Sequence, residues 1–257
     1  MGVITKIGIK EVQELFPSFS FIKLTLTTEG LIDTTYIVED KCKKYILKKY
    51  ENKTELQIQT HLQLLKKLSL HNITVPQLIS QSYPWFLYNY IDGEHPTQIN
   101  YFNLQQIAIC IKKIHKCTRA YSINKHIFDR INISNALHHQ RKTSFYYYKK
   151  YLKLKKMDRS SDGIIHGDIF TQNIVISNNN IAIIDFIDAA DGSFSFDLAV
   201  ALSSLVKHPS RQHYIDYFLQ VYNQTNHQKI SKKTLLKKIQ YAKLFYELLR
   251  KNLTNSI

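Results

Sequence analysis

The sequence predicts an α+β chain of two lobes: a small N-terminal antiparallel sheet with one helix over residues 1–92, and a larger, mainly helical C-terminal lobe over residues 93–257. Three observations lead there. Segments rich in β-branched and aromatic residues fill the first lobe. A helical period of apolar residues takes over after position 94. Gly (7) and Pro (5) are scarce in a chain of 257 residues that is 44% hydrophobic, which excludes disordered, collagen-like and low-complexity classes and leaves enough chain to bury a core.

The elements follow in order. Phe21–Leu26, Thr35–Val38 and Lys44–Tyr50 read as strands, the last two pairing across the Glu39–Lys43 turn. A helix starts at Thr54, where Thr54 and Gln57 form a capping-box pattern, with Leu56, Leu62, Leu65 and Leu68 as its apolar face. Pro76 opens a second strand pair, Gln77–Ser80 and Trp85–Ile91, closed by the Asp92-Gly93 turn signal. The N-terminal order is therefore β-β-β-α-β-β. Next, Leu104, Ile107, Ala108, Ile111 and Ile114 make one helical stripe ending near His115. A helix from about Ser134 to Met157 interleaves Tyr146, Tyr147, Tyr148 and Tyr151 with lysines, and reads as a solvated or core-facing element ahead of a base-stacking platform. Short strands return at Gly163–His166, Asn173–Ile176 and Ile181–Ile184, the last two joined by an Asn178–Asn180 turn. Beyond Phe196 the pattern is helical, with starts near Pro209 and Ser231.

Composition narrows the partners. The 35 basic and 20 acidic residues give a formal charge of +15, but lysine is spread along the chain and forms no single stripe, so no nucleic-acid partner is expected. No window approaches eighteen uninterrupted apolar residues and no leader pattern is visible, so the expectation is a cytoplasmic protein without membrane insertion. A Met-Gly start is followed by Lys6 where a myristoylation pattern needs Ser or Thr. Cys42, Cys110 and Cys117 lack metal-pair spacing, and Cys110 and Cys117, seven apart on one helical face, read as buried apolar residues.

The chemistry concentrates in Gly163-Ile-Ile-His-Gly-Asp-Ile-Phe-Thr-Gln-Asn173 and in Ile181-Ala-Ile-Ile-Asp-Phe186. Asp168 and Asn173 stand five apart on one loop. Asp185 ends a strand able to pair with Ile174–Ile176, which brings all three side chains together. Phosphoryl transfer needs hard oxygen ligands for Mg²⁺ and one carboxylate near the attacking hydroxyl, because its catalysis is mostly positioning and charge neutralisation. Asp168 suits the proton acceptor, and Asn173 and Asp185 suit the metal that bridges ATP phosphates. His166 suits a scaffolding role under the loop. Asp188 and Asp191, close behind Asp185, are candidates for contacting the acceptor.

The His-Gly-Asp-x-x-x-x-Asn segment, followed by Ile184-Asp-Phe and Asp197-Leu-Ala199, resembles the aminoglycoside phosphotransferase and choline kinase superfamily. That resemblance implies a protein-kinase-like fold, ATP and Mg²⁺ as cofactors, and a small-molecule hydroxyl as acceptor. It implies a brace for Asp197, holding the catalytic loop through backbone hydrogen bonds. In the Tyr45-Ile-Leu-Lys-Lys-Tyr50 strand, Lys48 and Lys49 point to opposite faces, and the resemblance selects Lys48 for the ATP phosphates. Kinases pair this lysine with a helix glutamate; here the helix offers Glu55 in its first turn, or Gln59 as a weaker substitute. Thr28–Val38, with Gly30, Thr34 and Thr35, would cover the phosphates and looks like the corresponding loop of type II homoserine kinases. Those kinases also carry an Asp-Leu-Phe-x-x-Asn loop like Asp168–Asn173. The adenine would meet backbone groups of Asn89, Tyr90 and Ile91, in the segment joining the lobes. Residues 1–92 would then bind nucleotide and 93–257 would carry catalysis and the acceptor. Homoserine-like, choline-like and ethanolamine-like acceptors rank ahead of sugars and aminoglycosides. A nucleotide-binding pseudokinase and a basic nucleic-acid-associated protein are the alternatives of other classes.

Overall fold

Strand β2 (Thr34–Glu39) buries every second residue, Thr34, Tyr36 and Val38, and so presents one face to a core. A computed structural model of the chain shows what covers it, and describes residues 5–27, 33–177, 180–206, 212–224 and 229–254. The chain divides into two compact units, Met1–Gly93 and Glu94–Ile257.

In the first unit, β1 (Lys23–Leu26), β2, β3 (Lys44–Lys49), β4 (Leu78–Ser82) and β5 (Trp85–Asn89) form one antiparallel sheet in the order β1-β2-β3-β5-β4. The β2–β3 turn is held by Asp40, whose carboxylate accepts from the N–H groups of Cys42 and Lys43 and from the Tyr45 hydroxyl. Helix α1 (Ile9–Leu15), absent from the sequence reading, lays Val12 and then Phe16 against Tyr36, Val38, Leu47, Trp85 and Leu87. Its first turn is fixed by Glu11, which accepts from the Gly8 N–H. Helix α2 (Glu55–Leu70) starts at the Thr54–Gln57 capping box. Its buried face differs from expectation. Ile58, His61, Leu64, Leu65 and Leu68 turn inward, whereas Leu56 is 76% exposed. Position 56 lies about 200° around the helix from Ile58, so the stripe that includes Ile58 and Leu65 leaves it in water. His61 meets the rings of Tyr50 and Tyr88 on the face of the sheet opposite α1.

The second unit joins helices to two short ribbons. Helix α3 (Tyr101–Thr118) buries the expected Leu104, Ile107, Ala108, Ile111 and Ile114, with Cys110 and Cys117 buried as well and in no disulfide. In place of one helix to Met157 there are two, α4 (Ile133–Thr143) and α5 (Phe145–Lys155). The break is Ser144, which adopts an extended backbone and accepts from the Tyr147 N–H. A serine hydroxyl at this place caps the second helix in preference to continuing the first. Strands β6 (Gly163–Ile165) and β9 (Ala190–Gly192) form one ribbon, β7 (Ile174–Ser177) and β8 (Asn180–Ile183) the other. Helix α6 (Phe194–Leu205) packs along α8 (Lys232–Thr254), and α7 (Gln212–Asn223) packs on α3. The expected helix start near Pro209 and most of the Asn178–Asn180 turn lie outside the described residues. No described helix is long and apolar enough to cross a membrane.

Candidate active site

The loop between β6 and β7 turns sharply because Gly167 takes φ 73°, where a Cβ would meet the Ile127 side chain at 2.5 Å. Glycine alone fits such a left-handed, closely approached position. The turn presents Asp168. Five residues on, Asn173 donates its side-chain amide to the Asp168 carbonyl at 2.8 Å and to the Asp168 carboxylate at 3.1 Å. The β7–β8 hairpin then returns the chain, and the Ile184 N–H donates to the Asn173 carbonyl at 3.0 Å. Asp185 follows in a left-handed conformation, φ 66° and ψ 57°, a region that Asp tolerates better than most side chains. His166 binds both halves. Its Nδ1 accepts from the Asp168 N–H, its Nε2 donates to the Ile184 carbonyl, and its ring lies edge-on to Phe186.

Below the loop sits Asp197, fully buried in the first turn of α6. It accepts from the His166 N–H at 3.0 Å, from the Gly167 N–H at 2.8 Å and from His115 Nε2 at 3.0 Å. His115 is positioned in turn by the Tyr222 hydroxyl at 2.8 Å from its Nδ1. Burial alone would push the Asp197 carboxyl up. The hydrogen bond from His115 and its charge, with the Gly167 N–H, hold it below the usual carboxylate range.

Asp168 behaves oppositely. Burial pushes it up to about 6, the charge of Arg130 pulls against that, and those of Asp185 and Asp188 add to it. Arg130 ends a 3₁₀ turn, Ile127–Arg130, and donates through Nη2 to Asp188 at 2.8 Å. Asp191 faces elsewhere, accepting from the Ser122 hydroxyl at 2.5 Å and from the Ile123 N–H at 2.9 Å. The sequence reading missed His115, Tyr222 and Arg130, and no periodicity or motif marks them.

In the first unit, β3 sends its two lysines to opposite faces. Lys49 lies 3.1 Å from Glu51 and donates to the Thr5 hydroxyl, while Glu51 also accepts from the Thr34 and Thr5 hydroxyls. Thr34 is thus committed to this network and has no exposed surface. Lys48, across the ladder from Thr35, lies 3.6 Å from Asp33 and 5.1 Å from the Tyr50 ring. The carboxylate near Lys48 therefore comes from the strand β2 side and not from α2, where Glu55 and Gln59 are exposed. Asn89 ends β5 and accepts from the Gln77 N–H through its side chain; with Tyr90 it lines a hollow of about 520 Å³ beside the Glu39–Lys44 turn, and Ile91 lies just beyond. Gly30 lies outside the described residues.

Asn173 and Asp185 are the residues of the second unit that would hold a magnesium ion. With Asn173 Nδ2 turned to Asp168, its Oδ1 and the Asp185 carboxylate are hard oxygen donors from one short hairpin. Among the described residues no group of three or more His, Cys, Asp or Glu is arranged to hold a metal ion, so the protein would supply two oxygen ligands, and Mg²⁺ keeps waters and substrate phosphates among the rest.

A family model described as a phosphotransferase enzyme family matches residues 23–231. Among solved structures, the amicoumacin kinase hAmiN in complex with AMP-PNP, Ca²⁺ and Ami is similar at 16% identity and a TM-score of 0.71, over 97% of this chain and 90% of that one. The macrolide 2'-phosphotransferase MphH from Brachybacterium faecium gives 13% and 0.71, over 97% and 93%. The choline kinase LicA from Streptococcus pneumoniae gives 16% and 0.61, over 93% and 98%. At these identities the likeness establishes a shared fold of the protein-kinase type.

Proposed function

The chain belongs to the APH phosphotransferase enzyme family, and from that premise we propose that it transfers the γ-phosphate of ATP, with Mg²⁺, to a hydroxyl of a small molecule. The observation that carries the proposal is the Asp168–Asn173 contact on a loop whose backbone is held by Asp197. Asp168 takes the proton of the acceptor hydroxyl as that oxygen bonds to the γ-phosphorus and the bond to the β-phosphate oxygen breaks, its electron pair leaving with ADP. Asn173 and Asp185 hold Mg²⁺, which neutralises charge on the phosphates. His166 and Asp197 keep the loop in register. Lys48, and not Lys49, addresses the nucleotide phosphates, with Thr35 and the segment around Gly30 covering them and the backbone of Asn89, Tyr90 and Ile91 meeting the adenine. Homoserine-like acceptors rank first, then choline-like and ethanolamine-like ones.

The test is Mg²⁺-dependent consumption of ATP by the purified chain against amino alcohols, homoserine, sugars and aminoglycosides. Acceptor-stimulated turnover that disappears in Asp168→Ala is the expected result. Stimulation that survives this substitution would sink the assignment of the base.

A further inference from the structure

Two polar groups beside the loop, which face each other, make no hydrogen bond of normal geometry among the described residues. One is Nη1 of Arg130, whose other nitrogen Nη2 is taken by Asp188; the second is the hydroxyl of Tyr246, a residue only 6% exposed. Both belong to the neighbourhood of Asp168. Tyr246 stacks edge-on against Phe170, two residues past Asp168, and the charges of Arg130 and Asp168 both act on it. Burial and the Asp168 charge keep the phenol protonated, hence a donor. A buried donor left unmade costs about 1–3 kcal/mol, so a pair of them converging on a reactive loop needs an explanation.

The acids around the loop supply the other half of the argument. Asp188 is neutralised by Arg130, Asp191 is held by Ser122 and Ile123, and Asp162 accepts from the Phe194 N–H. With Asp168 and Asp185 reserved for proton and metal, these carboxylates are not available to a cationic acceptor. What the wall offers is donors.

We propose that Arg130 and Tyr246 form the acceptor-side subsite and take a carboxylate carried by the hydroxyl compound that Asp168 serves. The proposal rests on the reading of Asp168 as the base, and it narrows the acceptors to hydroxy acids, with or without an amino group, over plain amino alcohols and polycationic drugs. The Arg130 side chain keeps 12% of its surface exposed, so the place is not sealed from solvent. Arginine suits this task because its planar fork can hold Asp188 and a second carboxylate at once.

The test compares binding of glycolate, 3-hydroxypropionate, 4-hydroxybutyrate and homoserine with that of ethanolamine, 3-aminopropanol and 4-aminobutanol. Calorimetry is run on the full chain, with and without Mg²⁺ and a non-hydrolysable ATP analogue. At least one hydroxy acid is expected to bind about tenfold or more tightly than its amino alcohol counterpart, and Arg130→Gln and Tyr246→Phe each to weaken that acid by about tenfold or more. Tyr246→Phe keeps the ring that packs on Phe170, so it carries the test if the arginine variant unfolds. Preference for the amines, no binding of any acid, or unchanged affinity in Tyr246→Phe would overturn the subsite. Because the readout is binding, a chain that binds hydroxy acids in this way but never consumes ATP would remove the phosphotransferase proposal and leave the subsite standing.

Discussion

Asp197 and Asp168 belong to one loop and one hydrogen-bond system, yet their environments drive them in opposite directions. The deeper carboxylate is the more acidic one: Asp197 is fully buried and held below the usual range, whereas Asp168, partly open, is pushed up to about 6. Depth does not decide the matter. Asp197 collects two backbone N–H groups and an imidazole, while Asp168 receives the Asn173 amide and shares its surroundings with Asp185 and Asp188. Donors outweigh desolvation at the first site and like charges reinforce it at the second. The surroundings of one carboxylate favour its ionised form, and those of the other favour its protonated form.

Removing each carboxylate should therefore fail in a different way. Asp168→Ala is expected to lower phosphotransfer by about 10³-fold or more with ATP still bound; near-normal turnover in steady-state assays would break the contrast. Asp197→Ala should instead destabilise the second unit, by about 3–5 kcal/mol, since it leaves His115 and two amides unpaired inside. Chemical denaturation reads this, and a fully stable but inactive protein would mean that Asp197 is not the brace.

The pH dependence of stability sharpens the comparison in the metal-free protein. Asp168 has a raised folded pKa, so its ionisation costs stability above about pH 6, and that cost fades as pH falls towards the ordinary value of 3.8. Asp168→Asn should accordingly be more stable than wild type by up to about 3 kcal/mol above pH 6, with the difference shrinking towards pH 4. Asp197 has a depressed pKa, so its contribution is present above 3.8 and is lost only as pH falls through its lower folded value. An Asp168→Asn advantage that does not change with pH would contradict this assignment. The smallest expected effects are in the first unit. Lys48→Ala should reduce turnover with the fold intact, and Lys49→Ala should cost about 1 kcal/mol of stability through Glu51 and Thr5 with little change in turnover. The reverse order would mean that the nucleotide uses the other face of β3.

Local features were legible in the sequence. The capping box at Thr54, the stripe from Leu104 to Ile114 and the pairing of β7 with β8 each follow from residues a few positions apart. The nearness of Asp168 and Asn173 followed from their spacing on one loop. One expectation failed at a single residue: the helix expected from Ser134 to Met157 runs straight across Ser144, where the serine cap divides it. Helix α1 is too short for its period to stand out. The groups supporting the site were not legible, because they are joined by folding alone. His115 reaches Asp197 across 82 positions, and Arg130 reaches Asp188 across 58.

Those separations also set an order of assembly. The amides of His166 and Gly167 are held by a residue about thirty positions further on, and the imidazole that shares this residue is fixed by Tyr222, 107 positions beyond His115. During synthesis the reactive loop therefore leaves the ribosome well before its support exists. Contacts between distant positions bear the loop-closure cost before they return any stabilisation, so the loop acquires its final shape only when α6 and α7 have emerged and docked. A chain interrupted before Asp197 would display every residue of the His-Gly-Asp-x-x-x-x-Asn motif with nothing to hold its turn in place.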